Sequence, residues 1–242
     1  MFLSSGNLLK RINTKEMAIA ENLLRIKESL PENVTLVAVS KTKPVTDLME
    51  AYTAGQRIFG ENKIQEMVDK WEQMPKDIEW HMIGHVQTNK VKYMAPFVTL
   101  IHGVDSLKLL EEINKQAQKN NRIIDCLLQI YIAEEESKFG LDEVELHSLL
   151  NSTSFNQMNN IRIVGLMGMA TFTDNQNQIK KEFTHLKSIF DTLQKLKPKN
   201  CHLNTISMGM SGDYPLAIAC GSTMVRIGSS IFGGRLFYTI PD

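Results

Sequence analysis

The sequence predicts an α/β protein, a (β/α)8 (TIM) barrel with one additional helix in front of it. Three observations carry this. Short β-branched apolar runs alternate with longer amphipathic runs along the chain, the pattern of a parallel sheet covered by helices. The first such run, Val34-Thr35-Leu36-Val37-Ala38-Val39, is apolar almost throughout, as strands buried on both faces are. Eight strand-helix alternations fit into roughly 210 residues, which favours a closed barrel over an open doubly wound sheet.

The additional helix is expected over residues 12–30, where Met17, Ala20, Leu23, Leu24 and Ile26 make an apolar stripe that Pro31 ends. After strand 34–39, Pro44 opens a helix to residue 54, at a position where proline is tolerated. Strand 57–60 leads into helix 63–72, strand 79–83 into helix 89–94, and strand 98–102 into helix 107–119. Strand 125–132 is followed by helix 141–150, and the polar, Asn-rich stretch 151–160 reads as a solvated loop. Strand 161–167 precedes the long helix 178–196, strand 203–207 a short helix at 214–219, and strand 224–227 closes the series.

No Gly/Ser linker or low-complexity tract divides the 242 residues, so one domain is expected over 1–242. A 43% hydrophobic content is ample for one core. Lys plus Arg and Asp plus Glu number 27 each, and zero net charge argues against broad attraction to nucleic acid or anionic membrane. No run approaches the roughly 18 apolar residues of a membrane span. Lys10 and Arg11 follow the first apolar stretch rather than precede it, unlike a signal peptide. Cys126, Cys201 and Cys220 are odd in number and form no CxxC pair, so a reducing, cytoplasmic setting is expected, without disulfides or zinc. His102, His147, His185 and His202 show no ligand spacing, and the thirteen methionines read as core filler.

In barrels of this kind the chemistry lies at the carboxyl ends of the strands. Lys41 follows the first strand directly. If its stem is buried, desolvation favours the neutral amine, the form that condenses with a carbonyl; a lysine that snorkels to solvent is the plainer alternative. The loops after strands seven and eight, 208–213 and 228–234, are rich in Gly and Ser. That position commonly holds phosphate in this fold, although the same composition also serves ordinary turns. A phosphate site and a reactive lysine in one barrel mouth together suggest a phosphorylated aldehyde.

These residues also carry a family resemblance. The segments AVSKTKP (38–44), FGEN (59–62), WHMIGHVQTNK (80–90), SKFG (137–140), GLM (165–167), SMGMSGD (207–213) and GSTMVRIGSSIFG (221–233) resemble the pyridoxal phosphate homeostasis protein family. Its members are single-domain relatives of the alanine racemase amino-terminal barrel. The resemblance implies pyridoxal 5'-phosphate (PLP) as cofactor, held as a Schiff base on Lys41, with Lys43 as a secondary lysine. It implies Ser207, Gly228 and Ser229 at the phosphate, Arg226 at the pyridine nitrogen and Asn62 beside the ring. Ser211 and His81 are secondary candidates near the mouth, and Glu61 falls there too. An Arg rather than a carboxylate at the ring nitrogen would keep the ring unprotonated and damp carbanion chemistry. The family implies a PLP carrier without turnover of its own, acting as a monomer and handing PLP to apoenzymes. The alternative is a PLP-dependent amino-acid racemase. Racemisation needs proton donors on both faces of the α-carbon, and Tyr214 is the tyrosine on which that reading depends.

Overall fold

In a computed structural model, which describes residues 19–135 and 139–234, eight parallel strands close into a barrel in sequence order. Helix α1 covers residues 19–29; the predicted beginning of this helix, from residue 12, lies outside the described residues. The series then runs β1 (Thr35–Val39), α2 (Val45–Thr53), β2 (Ile58–Glu61), α3 (Ile64–Gln73), β3 (Glu79–Met82), α4 (Val91–Met94), β4 (Leu100–Val104) and α5 (Leu107–Lys119). It continues with β5 (Ile124–Gln129), α6 (Glu143–Asn151), α7 (Thr153–Gln157), β6 (Ile161–Met167), α8 (Gln176–Leu196), β7 (Cys201–Met210), α9 (Tyr214–Ala219), β8 (Met224–Ile227) and α10 (Ser229–Phe232). The closing pair is β1 with β8, from Thr35 opposite Met224 to Ala38 opposite Ile227. Among the described residues no helix is long and apolar enough to cross a membrane.

Side chains alternate across each strand, so every second residue enters the lumen. Val37, Leu100, Leu127, Val164, Met167 and Met224 pack there as one apolar cluster. Two residues further along their strands, toward the carboxyl ends, stand His102, Gln129 and Arg226, all buried. The lumen therefore turns from apolar to polar toward the mouth, and that polar layer is the floor of the candidate site. The larger core lies between barrel and helices, with Phe59, Trp80, Phe155 and Phe183 fully buried in it.

Two expectations need correction. Stretch 151–160 is not a solvated loop. It contains α7, capped by the Ser152 hydroxyl, which accepts from the Phe155 amide at 3.1 Å, and it seals the barrel with a fully buried phenylalanine. The polar neighbours mask one anchor, because a single apolar residue gives no periodicity. Replacing Phe155 by Ala is expected to cost about 3–5 kcal/mol in urea unfolding, as for other buried aromatics; a loss below about 1 kcal/mol would return this segment to the status of a loop. Strand β7 is also longer than 203–207. It begins at Cys201, where exposed and half-buried residues alternate, and runs on past Ser207 to Met210.

Candidate functional site

At the carboxyl ends of the strands opens a cavity of about 530 Å³, lined by residues of the loops after β1, β2, β3, β5, β6, β7 and β8. Lys41, Lys43, Asn62, Ser211, Arg226, Gly228 and Ser229 all line it. Lys41 is half-buried, two residues past the end of β1, in a turn where Thr42 holds φ at 63°.

The loops after β7 and β8 meet in a cradle. The Gly228 amide donates to the Ser211 hydroxyl at 3.3 Å, and Ser229 opens α10. Gly228 runs against β1, where a Cβ would stand 3.0 Å from the Val39 carbonyl oxygen. Glycine eases this close approach, which brings the loop beside Lys41. Asn62 is set by a similar approach, since a Cβ on Gly84 would fall 2.5 Å from the Asn62 carbonyl oxygen.

Lys43 reaches the rim, but its ammonium donates to three carbonyls at and just past the end of α10: Phe232 at 2.9 Å, Gly233 at 2.9 Å and Gly234 at 3.2 Å. A cation on the last carbonyls of a helix is favourably placed. Lys43 thus ties the turn after β1 to the loop after β8.

Arg226 forms part of the floor. Its guanidinium donates to the Ser207 carbonyl at 2.8 Å, the Ser207 hydroxyl at 2.6 Å and the Gly168 carbonyl at 3.1 Å. Burial pulls it down to about 10, so it remains a cation at neutral pH, and the Asp213 carboxylate helps to keep it so. His102 Nδ1 lies 3.1 Å from the Ser207 hydroxyl and His102 Nε2 lies 3.1 Å from His81 Nδ1. A neutral His102 donates from one of its nitrogens and accepts at the other, so it links Ser207 to His81 in either tautomer. Burial pushes His102 well below the usual imidazole range and His81 down to about 3, so both rings are neutral.

Ser207 and His81, expected at the phosphate and near the mouth, do not line this cavity. Ser207 is fully buried beneath Arg226 and absent from the cavity wall, so the cradle offers Ser211 as hydroxyl donor in its place. His81 lies deeper still and lines a separate cavity at the amino-terminal end of the barrel. Tyr214 does not reach the mouth either: its hydroxyl lies 3.5 Å from the Ser29 hydroxyl on α1, and no described tyrosine lines the cavity. Ser137 and Lys138 of the SKFG segment and the 235–242 tail lie outside the described residues.

Sequence reasoning missed His85, Gln129, Phe139, Met169 and Phe172, which also line the cavity. His85, Phe139, Met169 and Phe172 follow strand ends, as Lys41 does, whereas Gln129 is the last residue of β5 and falls inside the strand expected at 125–132. Gln129 donates to the Phe139 carbonyl at 2.8 Å and so pins one wall of the mouth.

Known proteins match this arrangement. The family described as alanine racemase, N-terminal domain, matches residues 15–236. A pyridoxal phosphate homeostasis protein of Haemophilus influenzae is 39% identical over 209 residues, 85% of this chain and 87% of its own length. One of Escherichia coli K12 is 36% identical over 231 residues, 90% of this chain and 97% of its own. The structure of PipY of Synechococcus elongatus, solved with PLP bound, superposes with a TM-score of 0.81 at 35% identity, covering 89% of this chain and all of PipY. An alanine racemase of Clostridium difficile shares the fold, with a TM-score of 0.75 at 15% identity. Motifs, barrel topology and relatives agree, and the chain belongs to the pyridoxal phosphate homeostasis protein family.

Proposed function

We propose that this chain binds PLP in the mouth cavity and serves intracellular PLP homeostasis, with Lys41 as the residue that condenses with the aldehyde. One observation carries the reading: a lysine, a Gly/Ser cradle and a buried arginine line the same cavity. These residues suit the group chemically. Ser211 and Ser229 hydroxyls with the Gly228 backbone suit a phosphate. Asn62 offers an amide beside the ring, and Arg226 offers the ring nitrogen a donor that stays charged. When bound, PLP supplies an electrophilic aldehyde carbon on an electron-withdrawing ring.

The chain's part is to bind and orient. Arg226 is held by three bonds on its far side, so it presents a fixed cation to the ring and withholds the carboxylate that would protonate it. That arrangement favours storage and hand-over of PLP, to apoenzymes as acceptors, over turnover. The racemase alternative loses its second-face base, because Tyr214 points to α1.

The test is spectroscopic. Purified with PLP, the protein is expected to show a visible imine band that Lys41→Ala lacks, and borohydride should fix the label on Lys41. No band, or label scattered over surface lysines, would remove PLP and leave a barrel with an anion cradle.

A further inference from the structure

Lys41 is bracketed from behind by residues that no part of the cavity wall includes. The residue after it, Thr42, adopts φ 63°, a left-handed backbone that a β-branched residue resists. Such a conformation persists only when its surroundings over-determine it. Here the surroundings are a second lysine and two carboxylates.

Lys70, on α3, is buried, and its ammonium donates to three acceptors: the Ser40 carbonyl at 2.8 Å, Glu61 Oε1 at 2.7 Å and Glu66 Oε1 at 2.7 Å. An ammonium has three protons, and each has a partner here. Glu61 Oε1 also accepts the Ser40 hydroxyl at 2.6 Å. Glu66 Oε1 also accepts the Thr42 amide at 2.6 Å. The residue before Lys41 is therefore tied to Lys70 twice, directly and through Glu61. The residue after it is tied through Glu66.

We propose that Lys70, with Glu61 and Glu66, is a positioning clamp that fixes the backbone on both sides of Lys41 and so aims its amine at the cofactor aldehyde. The inference rests on the PLP reading above. Packing alone does not call for this arrangement. A buried ion pair seldom stabilises more than apolar residues of the same volume, and the fully buried Glu61 keeps one oxygen, Oε2, without a partner. The cluster's bonds converge instead on the two neighbours of one residue.

The clamp matters because of what Lys41 must do. Its nitrogen forms a bond to the aldehyde carbon, the carbonyl oxygen leaves as water, and the two amine protons leave with it. No electron is exchanged. The cradle holds the phosphate end of the ligand, so the distance left for the amine depends on where the Lys41 Cα is anchored. A misplacement on the order of 1 Å costs up to about a hundredfold in such a reaction.

Two ligands separate positioning from packing. PLP condenses. Pyridoxine 5'-phosphate carries an alcohol in place of the aldehyde, so it uses the cradle and cannot condense. Lys70→Met in the full chain is expected to slow the appearance of the imine band, and weaken PLP binding, by on the order of tenfold to a hundredfold. Binding of pyridoxine 5'-phosphate should stay within about twofold of wild type. Glu66→Ala removes the Thr42 acceptor and one of the three Lys70 partners, at a half-buried position, and leaves Lys70 bound to Ser40 and Glu61; it should show the same split at smaller size and decides the matter if Lys70→Met does not fold. Equal weakening of both ligands would mean general loosening of the cavity and overturn the clamp, as would unchanged condensation in both variants. A wild type that binds pyridoxine 5'-phosphate yet forms no imine fails the PLP reading itself, and the clamp with it.

Discussion

Lowering the pH from about 7.5 to about 5.5 is expected to cost this protein about 2–3 kcal/mol of folding stability, through two histidines inside the barrel. His81 and His102 are almost wholly enclosed, 3.1 Å apart, and His102 also faces Arg226 through Ser207. Desolvation lowers both, His81 to about 3. The sign follows from where the protons go. In the unfolded chain both rings titrate near pH 6.5, while in the native barrel they stay neutral far below that. Between those limits the unfolded state binds more protons, so stability is full above about pH 6.5 and falls as the pH drops. Each ring contributes about 1.4 kcal/mol per pH unit there.

Glu61 and Asp213 act in the opposite sense. Burial raises both carboxyls, so the native state takes up their protons more readily than the unfolded chain does. The histidine share is isolated by His81→Gln, whose amide can either accept from or donate to His102 Nε2. Urea unfolding at the two pH values should show the variant's loss smaller than that of wild type by about 1.4 kcal/mol, the share of one ring. An undiminished loss in the variant would place the acid sensitivity elsewhere. The same bonds support Arg226, so the acid range that unfolds the barrel also loosens the cavity floor.

Legibility in the sequence followed physical lines. Strands 161–167 and 224–227 matched β6 and β8 to the residue, because each is a short apolar run bounded by polar or Gly-rich turns. Lys41, Asn62, Gly228 and Ser229 follow strand ends, and all four line the mouth cavity. Depth was not legible. Ser207 and His81 sit on strands whose alternation points them inward, but how far below the mouth they lie depends on strand stagger, which no local pattern encodes. Lys70 was hidden for another reason. It shares the buried i, i+3, i+6 stripe with Ile64 and Met67, and a charged residue on an apolar stripe is the local inconsistency that marks a functional or strained site.

Gly165→Ala is expected to be among the most damaging single-methyl additions to this chain. A Cβ there would stand 1.7 Å from the Thr205 carbonyl oxygen and 2.6 Å from its carbon. Both are backbone atoms of the neighbouring strand, so no rotamer change relieves the clash and β6 must separate from β7. The pairing shifts register between Ile163 and Gly165, and it is there that the strands approach closely enough to exclude a side chain. Overpacking in cores commonly costs about 1–3 kcal/mol, and a backbone clash of this depth should exceed about 3 kcal/mol. The damage should travel. Ser207 is two residues beyond Thr205, its carbonyl accepts the Gly168 amide at 3.1 Å, and Ser207 and Gly168 both hold Arg226. PLP binding should weaken along with stability. Gly212→Ala is the matched control, since a Cβ there has no heavy atom within 4 Å, and its stability should stay within about 0.5 kcal/mol of wild type. Urea unfolding of the two variants side by side decides the point. Similar midpoints would mean that β6 and β7 part at little cost, and that Arg226 does not owe its position to the missing side chain at 165.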